Sequence, residues 1–366
     1  MRVLITGAGG FVGSGLAASL RREGHEVTGT IFHTSRAERP SGERAERPSG
    51  ERAERPSGER AERPSGERAE RPSGEPAPTL DVRDAHEVDR LVERVRPDWV
   101  CHLAAQSSAG LSWKEPTLTY SVNVAGTHLV LDALRRYSPR CRVLVTATSD
   151  EYGRVDPALC PLDENAPLRP LSPYAASKVA QEWVARTFYE AFGLEVVITR
   201  AFMHIGPGQP PSFATADWAR QIALAEAGLG APVVEVGDLS LAREFGDVRD
   251  VVRAYRLVLE HGVAGEPYNV ATGGARALGD ALGILLELAR VEVEVRIEPA
   301  KIRPADPPLL TGSAAKLERL AGWKPEHRLE DTLAEVLDYW RARVRPPAPG
   351  DRSSPHDEGA RRTGRI

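Results

Sequence analysis

The sequence predicts an open, doubly wound α/β fold: a parallel sheet with helices on both faces and a smaller C-terminal region beside it. Two observations carry that prediction. An apolar run, Val3-Leu4-Ile5, is followed by Gly7, Gly10 and Gly13 and then by a helical pattern over residues 16–22. Beyond a repetitive insertion, short apolar runs alternate with amphipathic stretches as far as residue 200. Strands that alternate with helices connect by right-handed crossovers and lie parallel.

The elements follow in order. Residues 2–5 read as a first strand, continuous in apolar side chains as a strand buried on both faces must be. The glycines that follow permit a tight turn, close approach of backbone to a pyrophosphate, and close packing of helix on strand. The helix N-terminus behind them favours phosphate charge. Gly7, Gly10, Phe11, Val12 and Gly13 are therefore candidate cofactor-binding residues. Residues 26–32 read as strand two and residues 79–82 as a short strand three. A helix is predicted over 84–95, strand four over 98–105, a long helix over 116–137 and strand five over 142–147. A helix over 172–192 and strand six over 194–200 complete the pattern. The dinucleotide-binding domain is thus expected at 1–201. From 202 the pattern becomes irregular, and 202–343 is expected to be mainly a substrate-binding region. The Pro-, Arg- and Ser-rich tail, 346–366, is expected to be disordered.

Residues 36–75 are five identical copies of Arg-Ala-Glu-Arg-Pro-Ser-Gly-Glu. Alanine is the one apolar residue of each copy, so the segment cannot bury enough surface to offset the entropy of ordering it. A proline in every copy interrupts any long helix. The charges cancel within a copy, which excludes a basic arm, and the absence of stacking positions excludes a solenoid. It reads as a solvated insertion in the dinucleotide-binding domain. Deleting 36–75 is expected to leave the fold and most activity intact, since loop length costs little entropy. Insolubility or inactivity of the deletion variant, by size exclusion and turnover assay, would contradict this.

Composition bounds the function. Hydrophobic residues make up 41% of the chain and the net charge is −4, which gives no global basic footprint for nucleic acid. No apolar stretch reaches the length of a membrane span, and no signal peptide is read before the first strand. Cys101, Cys141 and Cys160 lack metal-ligand spacing, and no metal is expected. A cytoplasmic enzyme fits this set.

The chemistry is concentrated in Tyr174-Ala-Ala-Ser-Lys178. The i, i+4 spacing puts tyrosine and lysine on one helix face. A free phenol has a pKa near ~10, and a neighbouring ammonium stabilises the phenolate. The pair is suited to proton transfer in alcohol/carbonyl chemistry.

With these motifs in this order, the chain resembles the extended short-chain dehydrogenases/reductases that act on nucleotide sugars, which have a Rossmann-type fold. The resemblance covers residues 1–35 and 76–343. It is most similar to the GDP-4-dehydro-6-deoxy-D-mannose reductases, through Leu168-Arg-Pro-Leu-Ser-Pro-Tyr174, His204-Ile-Gly-Pro-Gly-Gln209, the segment from Arg243 to Tyr255, and Ile302-Arg-Pro304. The resemblance implies Thr148, Tyr174 and Lys178 as catalytic residues, with Asp150 beside them where a glutamate is common. It implies Asp81 and Val82, Leu103, Ala104 and Ala105 as cofactor contacts, with Tyr174 and Lys178 also touching the cofactor. Ser108, Asn123, Met203, Arg243 and Arg303 are the implied substrate-side residues, Asn123 by positioning backbone. Met203 stands where the family has an asparagine that contacts the diphosphate, and a thioether replaces that contact poorly.

Strand two ends without an acid, and His33 and Arg36 are placed to face a 2′-phosphate; NADPH or NADH is the implied cofactor, with a tilt to NADPH. The implied partner is a nucleotide sugar, GDP-linked, and a second copy of the chain in a homodimer. Three functions stand open: a reductase of a 4-keto-6-deoxy nucleotide sugar, a dehydratase or epimerase with retained NAD(P), and a non-catalytic dinucleotide sensor.

Overall fold

The computed structural model describes residues 1–32, 78–302 and 306–344. The repeat, His33, Arg36, Arg303 and the tail from 346 lie outside the described residues.

The central sheet is parallel, with six strands. Its elements in chain order are β1 (Arg2–Thr6), α1 (Phe11–Arg22), β2 (Glu26–Gly29), α2 (Ala85–Val95) and β3 (Trp99–His102). These are followed by α3 (Ala109–Lys114), α4 (Pro116–Tyr120), α5 (Gly126–Tyr137), β4 (Arg142–Thr148), α6 (Pro173–Phe192) and β5 (Glu195–Ala201). The order across the sheet is Pro267–Val270, β5, β4, β3, β1, β2. Strand order reverses between β1 and β3, and ligands bind in such sheets outside the carboxyl ends of the strands at that point.

Alternation in β1 builds the layers. Val3 and Ile5 pack on one face with Leu16 and Leu20 of α1 and with Val258 of α8 (Val248–His261). Leu4 packs on the other face with Leu91 of α2, Leu131 of α5 and Phe188 of α6. Each fully buried leucine contributes about 1.5–3 kcal/mol over leaving it in water.

Three sequence expectations need correction. Residues 79–82 are not a strand; Thr79 makes a single parallel bridge with Ile31. The sixth strand comes instead from Pro267–Val270, in the stretch that reads as irregular. The helix over 116–137 is not uniform: a π-turn, Ser121–Ala125, separates α4 from α5. The wider turn carries Asn123 inward, where its amide is fully buried.

The chain divides into two compact units. The first comprises, of the described residues, 1–32, 78–204, 243–275 and 306–326, and holds the sheet together with α8 and α10 (Ala315–Ala321). The second comprises, of the described residues, 205–242, 276–302 and 327–344. Within it α7 (Ala214–Glu226), α9 (Leu278–Glu287) and α11 (Leu329–Arg343) pack on one another, and α7 packs on the strand Val233–Val236, which pairs in parallel with the exposed strand Glu294–Ile297. Glu226 of α7 is paired with Arg341 of α11 at 2.6 Å. No helix among the described residues is long and apolar enough to cross a membrane.

Candidate active site

The glycine loop connects β1 to α1 at the switch point. Gly7 has φ +76°, and a Cβ there would stand 2.9 Å from the backbone nitrogen of Ala104. Glycine is therefore what lets the loop lie against Leu103 and Ala104 as they leave β3. A Cβ on Gly13 would collide with the Gly7 carbonyl oxygen, so the helix can start close to the strand. Gly10 occupies the N-cap of α1 and no side chain caps that end. By contrast, Asp84 caps α2 and Ser172 caps α6 through their side chains. The first-turn N–H groups of α1 point to a place where an anion is favoured. The cradle fits a dinucleotide pyrophosphate.

Thr148 is the last residue of β4 and is buried, and Tyr174 lies in the first turn of α6. The Thr148 hydroxyl lies near enough to the Tyr174 phenol to favour its charged form. The Thr148 hydroxyl also accepts from the Asp150 backbone N–H at 3.3 Å. Asp150 itself is exposed. Burial raises the Tyr174 phenol above its ordinary value and the Asp150 carboxylate adds to this, while the Thr148 hydroxyl opposes both. The sequence expectation that Lys178 pulls this phenol down is therefore not met in the free protein. Lys178 is buried, and its ammonium donates to the Thr146 carbonyl and to Gln181 Oε1, each at 2.7 Å. Burial pulls Lys178 down to about 8, with the nearby Glu151 charge acting in the other direction.

Behind the two hydroxyls lies a buried ionic layer. Arg200 binds Glu182 through Nε at 2.9 Å and Nη2 at 2.7 Å. Its Nη1 donates to the Tyr152 hydroxyl, which donates in turn to Asn269 Oδ1 at 2.7 Å. Glu151 is fully buried beside them; burial and then the Glu182 charge raise its carboxyl well above the usual range.

The remaining residues separate by place. Leu103 and Ala104 lie against the glycine loop, and their N–H groups donate to the Thr6 carbonyl and hydroxyl at 3.1 and 3.3 Å. Ala105 follows, half-buried. Val82 is buried and meets α5 at Gly126, whose Cβ would stand 2.7 Å from Val82 Cγ2. Asp81 pairs with Arg83 at 2.6 Å. Asn123 binds both backbone groups of Gln106, at 2.8 and 3.1 Å, and donates to the Ser177 hydroxyl at 2.9 Å. That commits it to positioning and leaves it no free donor for substrate. Ser108 caps α3 by accepting from the Leu111 N–H at 3.1 Å, leaving its own O–H to donate. Met203 is half-buried and its carbonyl accepts from the Gly246 N–H at 3.0 Å. Arg243 is half-buried next to Glu244, whose buried carboxylate accepts from Thr311 and Thr272 and anchors the segment.

One group of residues escapes the sequence reading. Thr6 and His102 are register partners at the ends of β1 and β3. His102 Nδ1 contacts the Thr6 hydroxyl at 2.8 Å, and Nε2 contacts the Thr127 hydroxyl at 2.9 Å. Thr127 donates to the Asn123 carbonyl, so its oxygen accepts from His102 Nε2–H. Burial, with the Lys178 charge second, pulls His102 down to about 3 and keeps it neutral. The Val-Cys-His-Leu-Ala-Ala run offers the histidine, but its partners are set by register and by the π-turn. Among the described residues no group of three or more His, Cys, Asp or Glu can hold a metal ion.

A family model described as GDP-mannose 4,6 dehydratase matches residues 76–336. The chain is 39% identical over 249 residues to the GDP-6-deoxy-D-mannose reductase of Pseudomonas aeruginosa, an alignment covering 68% of this chain and 82% of that one. The solved structure of RMD from Pseudomonas aeruginosa complexed with NADPH is similar at a TM-score of 0.75 and 31% identity, over 94% of this chain and all (100%) of that one. The UDP-glucose 4-epimerase of Thermus thermophilus, solved in complex with NAD, is similar at a TM-score of 0.75 and 29% identity, over 94% and 100% of the two chains.

Proposed function

Because this chain belongs to the GDP-mannose 4,6-dehydratase family, within the extended short-chain dehydrogenases/reductases, we propose that it reduces a GDP-linked 4-keto-6-deoxy sugar to the alcohol. The observation that carries the reading is the pairing of Thr148, at the carboxyl end of β4, with Tyr174 in the first turn of α6, on the same sheet whose first strand leads through the glycine loop into the uncapped α1. The cofactor is a nicotinamide dinucleotide, in the reading here NADPH, and when bound it supplies a hydride. The uncapped α1 N-terminus and glycine loop hold its pyrophosphate. Thr148 holds the sugar oxygen by a hydrogen bond, and Tyr174 gives that oxygen its proton. A neutral phenol, as Tyr174 is at physiological pH, can donate that proton. Lys178, tied to Thr146 and Gln181, fixes the floor of the site and keeps a cation behind the phenol. Arg243 is the side chain proposed for the diphosphate, in line with the planar cation's fit to phosphate.

A dehydratase is the second reading, favoured by the description of the family model and by the acid at Asp150. The shorter aspartate reaches less far than the family's glutamate, which favours reduction. Stoichiometry separates the two. A reductase consumes one reduced cofactor per 4-keto sugar; conversion of GDP-mannose without net consumption would establish the dehydratase instead.

The three cysteines are free, as suits the reducing cytoplasm where we place the enzyme. We also propose a homodimer through α4–α6. Ala133 and Phe188 face the chain's own core, but Trp183 of α6 is 60% exposed and Tyr120 of α4 41%. So much outward aromatic surface fits a second subunit in an isologous pair. Light scattering at micromolar concentration is expected to give twice the chain mass; a monomeric mass would contradict the dimer.

A further inference from the structure

We infer that Arg83 selects the phosphorylated cofactor, its guanidinium holding the 2′-phosphate of the adenosine ribose. The inference rests on the functional reading above. In a doubly wound sheet the ribose 2′ position is read at the carboxyl end of the second strand, about 20 residues beyond the glycine loop. Here that end runs Thr30-Ile31-Phe32 and brings no carboxylate. An unpaired carboxylate there would accept from a 2′-hydroxyl and repel a 2′-phosphate; the Asp81 carboxylate nearby is charge-paired with Arg83.

What packs against that end is the segment preceding α2. The Ile31 N–H donates to the Pro78 carbonyl at 3.1 Å, and the Leu80 N–H donates to the Ile31 carbonyl at 2.9 Å. These bonds bring Arg83 beside Phe32, its guanidinium carbon 5.9 Å from the ring centroid. Asp81 grips the guanidinium from one side, accepting from Nε at 2.9 Å and Nη2 at 2.6 Å. The backbone N–H of Arg83 donates to the same carboxylate at 3.0 Å, which closes the turn. Nη1 has no hydrogen-bond partner among the described residues. The side chain is 28% exposed, so that edge can be reached by a ligand. A guanidinium fixed along one edge and open on the other is preorganised for a phosphate, and Phe32, 48% exposed, offers a flat surface beneath it. The competing account is a staple that only closes the turn before α2; such a staple would not distinguish two dinucleotides that differ by one phosphate.

The test is the affinity of the full chain for NADPH and NADH, followed by tryptophan fluorescence or calorimetry. The wild type is expected to bind NADPH at least about tenfold more tightly than NADH. Arg83→Ala is expected to weaken NADPH by about tenfold or more and to leave NADH within about twofold, the scale of one lost charge-assisted contact. Arg83→Gln keeps the aliphatic stem over Phe32 and is expected to do the same, so it serves should the alanine variant fail to fold. Equal weakening of both dinucleotides, no change in either, or a wild type that prefers NADH would overturn the assignment. A wild type that binds neither dinucleotide would overturn the functional reading itself.

Discussion

Tyr174→Phe is expected to lower kcat by at least about 10²-fold while cofactor and nucleotide-sugar affinities stay close to wild type. The substitution removes one hydroxyl from a half-buried ring and keeps the ring's packing. The fold loses only the contact of that hydroxyl with its Thr148 neighbour. The reaction loses its proton donor. Binding made equally to ground and transition states is untouched, so the effect belongs in kcat and not in KM. Near-wild-type turnover of this variant would remove Tyr174 from the mechanism.

Lys178→Ala is expected to damage more than the rate. Its ammonium holds the Thr146 carbonyl and Gln181 Oε1 in a buried place. Removing it leaves those acceptors unpaired and takes a cation away from buried Glu151. We expect a loss of about 10²-fold in kcat/KM, weaker dinucleotide binding and a lower thermal midpoint. Lys178 also sets a pH limit. Its folded value, about 8, lies below the ordinary 10.5, so the charge is present below about 8 and lost above it. Between those values the unfolded chain binds a proton that the folded chain does not, so this residue's contribution to stability rises with pH there. Activity is expected to do the opposite, with kcat/KM falling as pH rises through about 8. A flat profile across that range in the wild type would contradict the role given to the lysine charge.

Much of the sheet and its glycine loop is legible in the sequence because each signal is local. The apolar run of β1, the spacing of Gly7, Gly10 and Gly13, and the Tyr174–Lys178 interval depend on a few neighbouring residues. What is not legible depends on contacts between distant segments. Residues 79–82 have strand-like side chains, yet only Thr79 finds a bridge partner, at Ile31. Pro267–Val270, which begins with proline and carries a polar asparagine, lacks the continuous apolar run of a buried strand, and becomes one because β5 offers an edge. The pairing of the Asp81 carboxylate with Arg83 is likewise set by the turn before α2 and not by any pattern in the sequence. The phenol's acidity differs from the sequence expectation for a related reason: spacing counts the lysine charge but not the cost of burying the tyrosine. His102, Thr6 and Thr127 form their chain only once β1 and β3 are in register and the π-turn has formed.

The central claim, hydride delivery from an external reduced cofactor to the sugar's keto carbon, is tested most directly by following the hydride. The full chain is incubated with a GDP-linked 4-keto-6-deoxy sugar and NADPH carrying deuterium on the transferring face of the nicotinamide, and the product sugar is analysed by mass spectrometry. The account predicts one deuterium at sugar C4 for each cofactor oxidised. A product without deuterium, or turnover of GDP-mannose with the labelled cofactor left reduced, would contradict it.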